Sequence, residues 1–331
     1  MSTLQVSIEQ YKRLPVLADS ETCSGKVYIV TGANNGLGLE TARHLVRCSA
    51  ARVILAVRNI TAGEKAKSDI ERSTGRKGVA QVWHLDLASF ASVQAFVNKA
   101  TADLERVDSL IENAGVAIDK WETSEGTETS MTVNVISTML LGVLIMPKLM
   151  ESARQFGIKP RLVFLVSALG FTAEDELEKS GKVNLFDGIN DPKRADMDQR
   201  YSLTKLVEMY AVREFAALFP AERTGVIINM VAPGLCSTGL AHDTRTWTRT
   251  WIAVVRAMLA RTAEQGSRTI LHGVVADQES HGKLLSGCKI KDYWIPKWMI
   301  NEDGQRTQKQ IWKELVTRME EVQTGCIPHS L

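Results

Sequence analysis

Tyr201-Ser202-Leu203-Thr204-Lys205 opens a predicted helix, so the tyrosine and the lysine stand four apart and share one helix face. A free phenol has a pKa near ~10 and is a poor base at neutral pH. A neighbouring ammonium favours the phenolate and eases proton exchange with a substrate oxygen, and Lys205 supplies one. Ser167 ends a predicted core strand, where its hydroxyl can hold a carbonyl or alkoxide oxygen near Tyr201. Each also has a plainer reading: the Tyr-Lys spacing as an ordinary helix face, Ser167 as the hydroxyl of a strand-ending turn.

Upstream, Thr31-Gly32-Ala33-Asn34-Asn35-Gly36-Leu37-Gly38 joins a predicted strand to a predicted helix. Gly32 permits a tight turn, Gly36 lets backbone N–H groups approach a pyrophosphate, and Gly38 lets the helix pack close. The GxxxGxG spacing differs from the general GxGxxG fingerprint, but its position between strand and helix marks a dinucleotide site. The second strand ends Ala56-Val57-Arg58-Asn59, without the acidic residue that binds the adenosine ribose of NAD. Arg58 is expected to pair with a 2′-phosphate instead, which points to NADP(H); the alternative is a solvated strand-end arginine. Asp86-Leu87 and Asn113-Ala114-Gly115 follow the third and fourth strands, at the edge where adenine and ribose would lie. Glu112, just before, is expected to point to solvent and is given no role.

The elements that must carry these residues alternate short apolar runs with amphipathic stretches, the pattern of a parallel sheet covered by helices on both faces. Strands are predicted at Lys26–Val30, Arg52–Val57, Ala80–Leu85, Asp108–Ile111, Arg161–Val166 and Gly225–Val231, with a seventh near Leu284. Helices are predicted at Leu37–Cys48, Ala62–Ser73, Phe90–Asp103, Thr127–Ser152, Gln199–Leu218 and Glu264–Ala276, making one doubly wound α/β domain.

TGxxxGxG, NAG, Asn134 within a helix, Ser167 and YxxxK occur in that order, and with them the chain resembles the short-chain dehydrogenase/reductase family from about Gly25 to Ala276. TGANNGLG, AVRN, HLDLAS and AEQG suggest its retinol dehydrogenase-like and WW-domain-oxidoreductase-like branch, and fungal secondary-metabolite reductases are similar. The resemblance implies a Rossmann-type sheet and a catalytic tetrad of Asn134, Ser167, Tyr201 and Lys205. Asn134 would hold a water that links Lys205 to solvent, and Tyr201 and Lys205 would also meet the cofactor, Lys205 at its ribose. It further implies that Pro233-Gly234 through Thr238 (PGLCST) contacts the nicotinamide carboxamide, and that the substrates are lipophilic alcohols or carbonyls. A homodimer through the helices around Phe90–Asp103 and Thr127–Ser152 is compatible with the resemblance, although the C-terminal region could block it. The interval between Ser167 and Tyr201 exceeds the common family spacing, so an added segment near the site is expected.

Residues 1–24 read as an N-terminal extension and 25–331 as one domain, with an insertion at about 170–198 and a lid and C-terminal region at about 236–331. Thr238 to Arg261 carries Trp247, Trp251, Ile252, Val254, Val255 and Leu259 interleaved with arginines, and is expected to cover the substrate pocket. A basic amphipathic helix on a membrane, or aromatic packing in the core, are the alternatives. Trp294 and Trp298 are expected to staple a C-terminal helix, Gln305–Val322, to the body, and Cys236 to be a packing residue beside the cofactor.

At 331 residues and 44% hydrophobic, the chain can bury a full α/β core. Lys plus Arg total 40 against 38 Asp plus Glu, which predicts no nucleic-acid partner and favours small-molecule chemistry. Five scattered cysteines without a CxxC argue against a disulfide framework or a metal site and for a reducing compartment, the cytoplasm. No signal-peptide core is evident, and no run approaches the roughly 18 apolar residues of a membrane span. Met139 to Met146 reads as the buried part of a core helix. The expected function is therefore NADP(H)-dependent interconversion of a ketone or aldehyde and an alcohol on a lipophilic small molecule, of the secondary-metabolite kind. The alternatives are a membrane-surface retinoid- or steroid-type dehydrogenase and a non-catalytic NADP(H)-sensing module.

Overall fold

Runs rich in Val, Ile and Leu form the strands β1 (Val27–Thr31), β2 (Arg52–Val57), β3 (Ala80–His84), β4 (Ser109–Glu112), β5 (Arg161–Leu165) and β6 (Ile227–Ala232). The short β7 (Leu284–Ser286) and β8 (Lys289–Ile290) complete the sheet. The computed structural model describes residues 10, 12–181, 184–236 and 260–327. Strand order is β8-β7-β6-β5-β4-β1-β2-β3, with β8 antiparallel to β7 and the other pairs parallel. The sheet thus has one strand more than the seven expected and is not wholly parallel. The order reverses between β1 and β4, and ligands of such sheets bind at the carboxyl ends of the strands at that point.

Among the described residues, seven longer helices flank it: α1 (Gly36–Arg47), α2 (Ile60–Thr74), α3 (Phe90–Asp103), α4 (Thr138–Phe156), α5 (Arg200–Leu218), α6 (Ala263–Val275) and α7 (Glu302–Val322). Alternate strand residues feed two cores. Along β5, Leu162 and Phe164 join the core that holds Phe96, Leu141, Phe215 and Leu315, from α3, α4, α5 and α7. Val163 and Leu165 join the opposite one, with Leu45, Ile70 and Ile270 from α1, α2 and α6. Burial on both faces explains why the strands read as continuous apolar runs.

The region expected as one helix over Thr127–Ser152 is composite. Thr127–Glu128 pairs with Thr123–Ser124 in a two-stranded ribbon, because the Glu128 carboxylate caps the N–H groups of Ser130 (2.7 Å) and Met131 (3.2 Å) and starts the helix only after itself. Thr132–Ser137 is π-wound, and the Thr138 hydroxyl donates to the carbonyl of Val133 at 2.9 Å before α4 continues. The Thr129–Phe156 stretch is long and apolar enough to cross a membrane, but 83% of its most apolar window is buried in the protein, as befits a core helix.

The segment between Ser167 and Tyr201 contains short helices at Glu174–Lys179 and Leu185–Ile189. It is fastened from both sides: Glu314 of α7 accepts from the N–H of Leu185 (3.0 Å) and Phe186 (2.9 Å), and the buried Arg200 donates to the Ile189 carbonyl (3.1 Å). Near the N-terminus, Leu14, Ala18 and Cys23 are buried, so part of the expected N-terminal extension packs on the body. Trp294 and Trp298 pack against the same core that Ile311, Trp312 and Leu315 of α7 join, and the Lys297–Ile300 turn that carries Trp298 contacts α7.

α7 is held to α5 by Trp312, whose ring stacks on Phe215 at 5.5 Å between centroids and 16° between planes. Trp312→Ala is expected to cost about 3–5 kcal/mol of stability, read by chemical denaturation. A loss below about 1 kcal/mol would mean that α7 does not support the helix carrying Tyr201 and Lys205.

Candidate active site

β1 ends at Thr31, whose buried hydroxyl joins two strand ends. It accepts from the N–H groups of Asn113 (3.0 Å) and Ala114 (2.9 Å) and donates to the Ile111 carbonyl (3.4 Å). Asn113 Nδ2 donates to the Thr31 carbonyl at 2.8 Å. The turn that follows needs its glycines: Gly32 has φ +64° and Gly36 φ +55°. A Cβ on Gly38 would lie 2.5 Å from Asn113 Nδ2 and 2.7 Å from the Gly32 carbonyl, so only glycine brings α1 this close. Asn35 sits at the N-cap of α1 without a side-chain cap, which leaves the first helical N–H groups able to receive an anion. Asn34 and Leu37 beside it are partly buried.

Arg58 lies exposed just beyond β2, and no hydrogen bond or ion pair engages its guanidinium among the described residues. Asp86 shapes its own turn, its carboxylate accepting from the Ala88 N–H at 3.0 Å and its N–H donating to Ser92 Oγ at 2.9 Å. The Leu87 side chain belongs to the core, 4% exposed, so only its backbone could serve a ligand.

Asn134 lies inside the π-wound turn and is buried. Its Oδ1 accepts from the Val116 N–H (2.8 Å), and its Nδ2 donates to the Val116 carbonyl (2.8 Å) and to Thr204 Oγ1 (3.1 Å). Thr204 in turn donates to the Tyr201 carbonyl at 2.8 Å. Gly115 makes room for this clamp, since a Cβ there would lie 3.2 Å from Asn134 Oδ1. Hydrogen bonds therefore run from the glycine turn through Thr31, the Asn113–Val116 segment and Asn134 to the first turn of α5. Both Asn134 N–H bonds are engaged with protein, leaving one Oδ1 lone pair for a water.

Ser167 follows β5 and caps the short Ala168–Thr172 turn, its Oγ accepting from the Leu169 N–H at 3.3 Å. α5 packs tightly on that turn: a Cβ on Gly170 would lie 2.9 Å from the Leu206 nitrogen. Lys205 is 5% exposed, and its Nζ donates to the Leu165 carbonyl (2.6 Å) and to Glu208 Oε2 (2.7 Å). Burial works against the ammonium, but Glu208 and then Tyr201 outweigh it and hold the Lys205 pKa above its ordinary value. Burial pushes the Glu208 carboxyl up to about 7 against the pull of Lys205. Glu112 corrects the expectation of a solvent-facing charge: it is 1% exposed, neither oxygen has a hydrogen-bond partner, and burial with Glu208 nearby drives its pKa well above the carboxylate range.

After β6, Gly234 has φ +85° and the Pro233 carbonyl accepts from Arg261 Nη1 at 3.1 Å. Gln10 bridges the Leu235 backbone, Nε2 donating to its carbonyl (2.5 Å) and Oε1 accepting from its N–H (3.3 Å). α6 brings this turn against the glycine turn, because a Cβ on Gly266 would lie 2.6 Å from Leu37 Cδ2 and would also strike Cys236. Cys236 is buried, and burial pushes its thiol up to about 11, which suits a packing residue and not a nucleophile. Thr238 and nearly all of the expected lid, 237–259, lie outside the described residues.

Sequence reasoning missed Thr31, Thr204, Glu208 and Gln10. Glu208 alone left a signal, a charge three residues beyond Lys205 in an otherwise apolar run. The hydroxyls and Gln10 act on partners far away in the chain.

A family model described as short chain dehydrogenase matches residues 26–177. A short chain dehydrogenase/reductase of Cryptosporiopsis sp., dmxR8, is 38% identical over 305 residues, covering 91% of this chain and 93% of that protein. The short chain dehydrogenase atnD of Emericella nidulans is 42% identical over 280 residues, covering 83% and 88%. Among solved structures, a short chain dehydrogenase of Shigella flexneri complexed with NADP superposes with a TM-score of 0.59 at 22% identity, covering 82% of this chain and 100% of that one. An Escherichia coli short chain dehydrogenase complexed with NADPH gives a TM-score of 0.59 at 22% identity, covering 81% and 99%. With this likeness over nearly its whole length, the chain belongs to the short-chain dehydrogenase/reductase family.

Proposed function

We propose that this protein is an NADP(H)-dependent reductase or dehydrogenase that interconverts a ketone or aldehyde and an alcohol on a lipophilic small molecule, of the secondary-metabolite kind. One observation carries the reading: the buried Lys205 ammonium shares a helix face with Tyr201 and is bonded to the strand end that leads into Ser167. The cofactor fits the residues beside it. The Gly38 cradle has no room for a Cβ, α1 presents uncapped N–H groups, and the exposed Arg58 suits a 2′-phosphate. NADP(H) bound there supplies or takes the hydride.

The chain's own residues handle the proton. Tyr201 donates it to the carbonyl oxygen in reduction and removes it in oxidation, since one group serves both directions. Ser167 accepts one backbone hydrogen bond and keeps its own O–H for the substrate oxygen, which it orients. Lys205 holds its charge close to the phenol, and the remaining Asn134 lone pair holds a water of the proton relay. The names of the relatives, dehydrogenases and reductases, and the NADP and NADPH of the solved neighbours support this reading. The lipophilic substrate class is supported by the resemblance to the retinol dehydrogenase-like branch and by Trp247, Trp251 and their aliphatic neighbours.

Incubation with NADPH and a panel of aromatic and alicyclic ketones, followed by cofactor absorbance, should show turnover. Tyr201→Phe should lower it by about 100-fold or more; unaltered turnover would remove Tyr201 from the chemistry. Arg58→Asp should weaken NADPH binding by roughly 10- to 100-fold while sparing NADH, as read by fluorescence titration. An equal loss for both cofactors would assign the 2′-phosphate elsewhere.

A further inference from the structure

Lys205 is expected to lower the pKa of Tyr201, yet a carboxylate reaches it first. Glu208 lies one helical turn beyond Lys205, is 1% exposed, and accepts from its ammonium at 2.7 Å. Glu112, arriving from the end of β4, adds a second carboxyl group that is equally buried and has no cation beside it, its polar neighbour being the Thr31 hydroxyl.

We propose that Glu208 is a positioning residue for the reaction: it holds and electrically compensates the Lys205 ammonium, so that Tyr201 remains a protonated phenol, poised to donate in carbonyl reduction. This rests on the reading of Tyr201 as the proton-carrying group.

Two buried carboxyl groups that act on one another in a dry interior do not readily both ionise. Glu112, without a cation beside it, keeps its proton, and Glu208, against Lys205, carries the charge. Burial raises both, Glu112 well above the carboxylate range but Glu208, against the pull of Lys205, only to about 7, so Glu208 ionises first and is charged over the higher pH range in which a phenol titrates. Among the described residues, the buried Arg200 beside Tyr201 is itself met by Glu128 at 3.5 Å, with Glu176 and Asp196 also acting on it. The Ala168–Thr172 turn, the Thr132–Ser137 turn and β6 all pack on α5 and carry no ionisable side chain. Glu174 acts on Tyr210, Gln308 of α7 bonds Glu214, and Arg213 pairs with Asp292, all farther along the helix. Thr31, beside Glu112, is uncharged.

Compensation makes the ammonium and carboxylate act on Tyr201 as a dipole instead of a full positive charge. An uncompensated ammonium would favour the phenolate, which suits alcohol oxidation; a compensated one leaves the phenol its proton.

The test is an ultraviolet difference titration of tyrosinate in the full chain without ligand, each variant measured against the same variant carrying Tyr201→Phe, so that the other tyrosines cancel. Glu208→Gln, which keeps the shape and removes the charge, should lower the Tyr201 midpoint by about one pH unit, a tenfold gain of phenolate at a fixed pH below it. Glu208→Asp should restore the wild-type midpoint, which a packing role alone would not do. Glu112→Gln, neutral for neutral, should leave it in place. An unmoved or raised midpoint in Glu208→Gln, or an equal shift in Glu112→Gln, would overturn the proposal. So would a wild-type midpoint more than about one unit below the ordinary ~10, a result that needs no variant at Glu208 to fold. Because the titration reads the phenol directly, it can fail while Tyr201→Phe still abolishes turnover, or succeed while it does not.

Discussion

The segment that follows β4 and the first turn of α5 meet at the Asn134 side-chain amide, and the geometry of the site depends on that junction. The amide is buried, so its donors and acceptor must be matched within the protein. It is matched on one side by the Val116 backbone and on the other by Thr204, three residues beyond Tyr201. The segment before Val116 is itself knotted to β1 through the Thr31 hydroxyl, from which the glycine turn begins. The glycine turn, proposed to receive the pyrophosphate, and the helix that carries the phenol are thus linked by hydrogen bonds of 2.8 to 3.1 Å. The π-wound turn is what aims the amide at both, and such turns often mark functional sites.

A second constraint is electrical. An ammonium buried as deeply as that of Lys205 is tolerable only if its N–H groups are bonded and its charge is met. The Leu165 carbonyl and the Glu208 carboxylate do this, and in doing so fix α5 against the strand end that leads to Ser167. The same bonds that stabilise the fold are those proposed to set the field around Tyr201. The surrounding elements hold this arrangement in place: the segment between Ser167 and Tyr201 is tied down by Arg200 and Glu314, and α7 backs α5 through the stacked Phe215 and Trp312.

Much of this was legible in the sequence, for identifiable reasons. Strands buried on both faces must be apolar throughout, so β1, β2, β5 and β6 stand out as runs, and the glycine turn announces itself because no other residue fits at Gly38. Local patterns also gave Tyr201 and Lys205 a common face. Features decided by distant partners were not legible. β8 is two residues long and exists only by pairing with β7. Thr127–Glu128 lies in an apolar, helix-like stretch, but the Glu128 cap delays the helix. Glu112 was expected at the surface, because nothing local shows that it will meet Glu208 inside the protein.

The central claim is that the site passes hydride from NADPH to a carbonyl carbon while α5 supplies the proton. Its most direct test is turnover of a ketone with NADPH carrying deuterium in both positions at C4 of the nicotinamide, with mass spectrometry of the alcohol. The account predicts one deuterium on the carbinol carbon and none on oxygen after exchange in ordinary water. Alcohol formed without that label would contradict it.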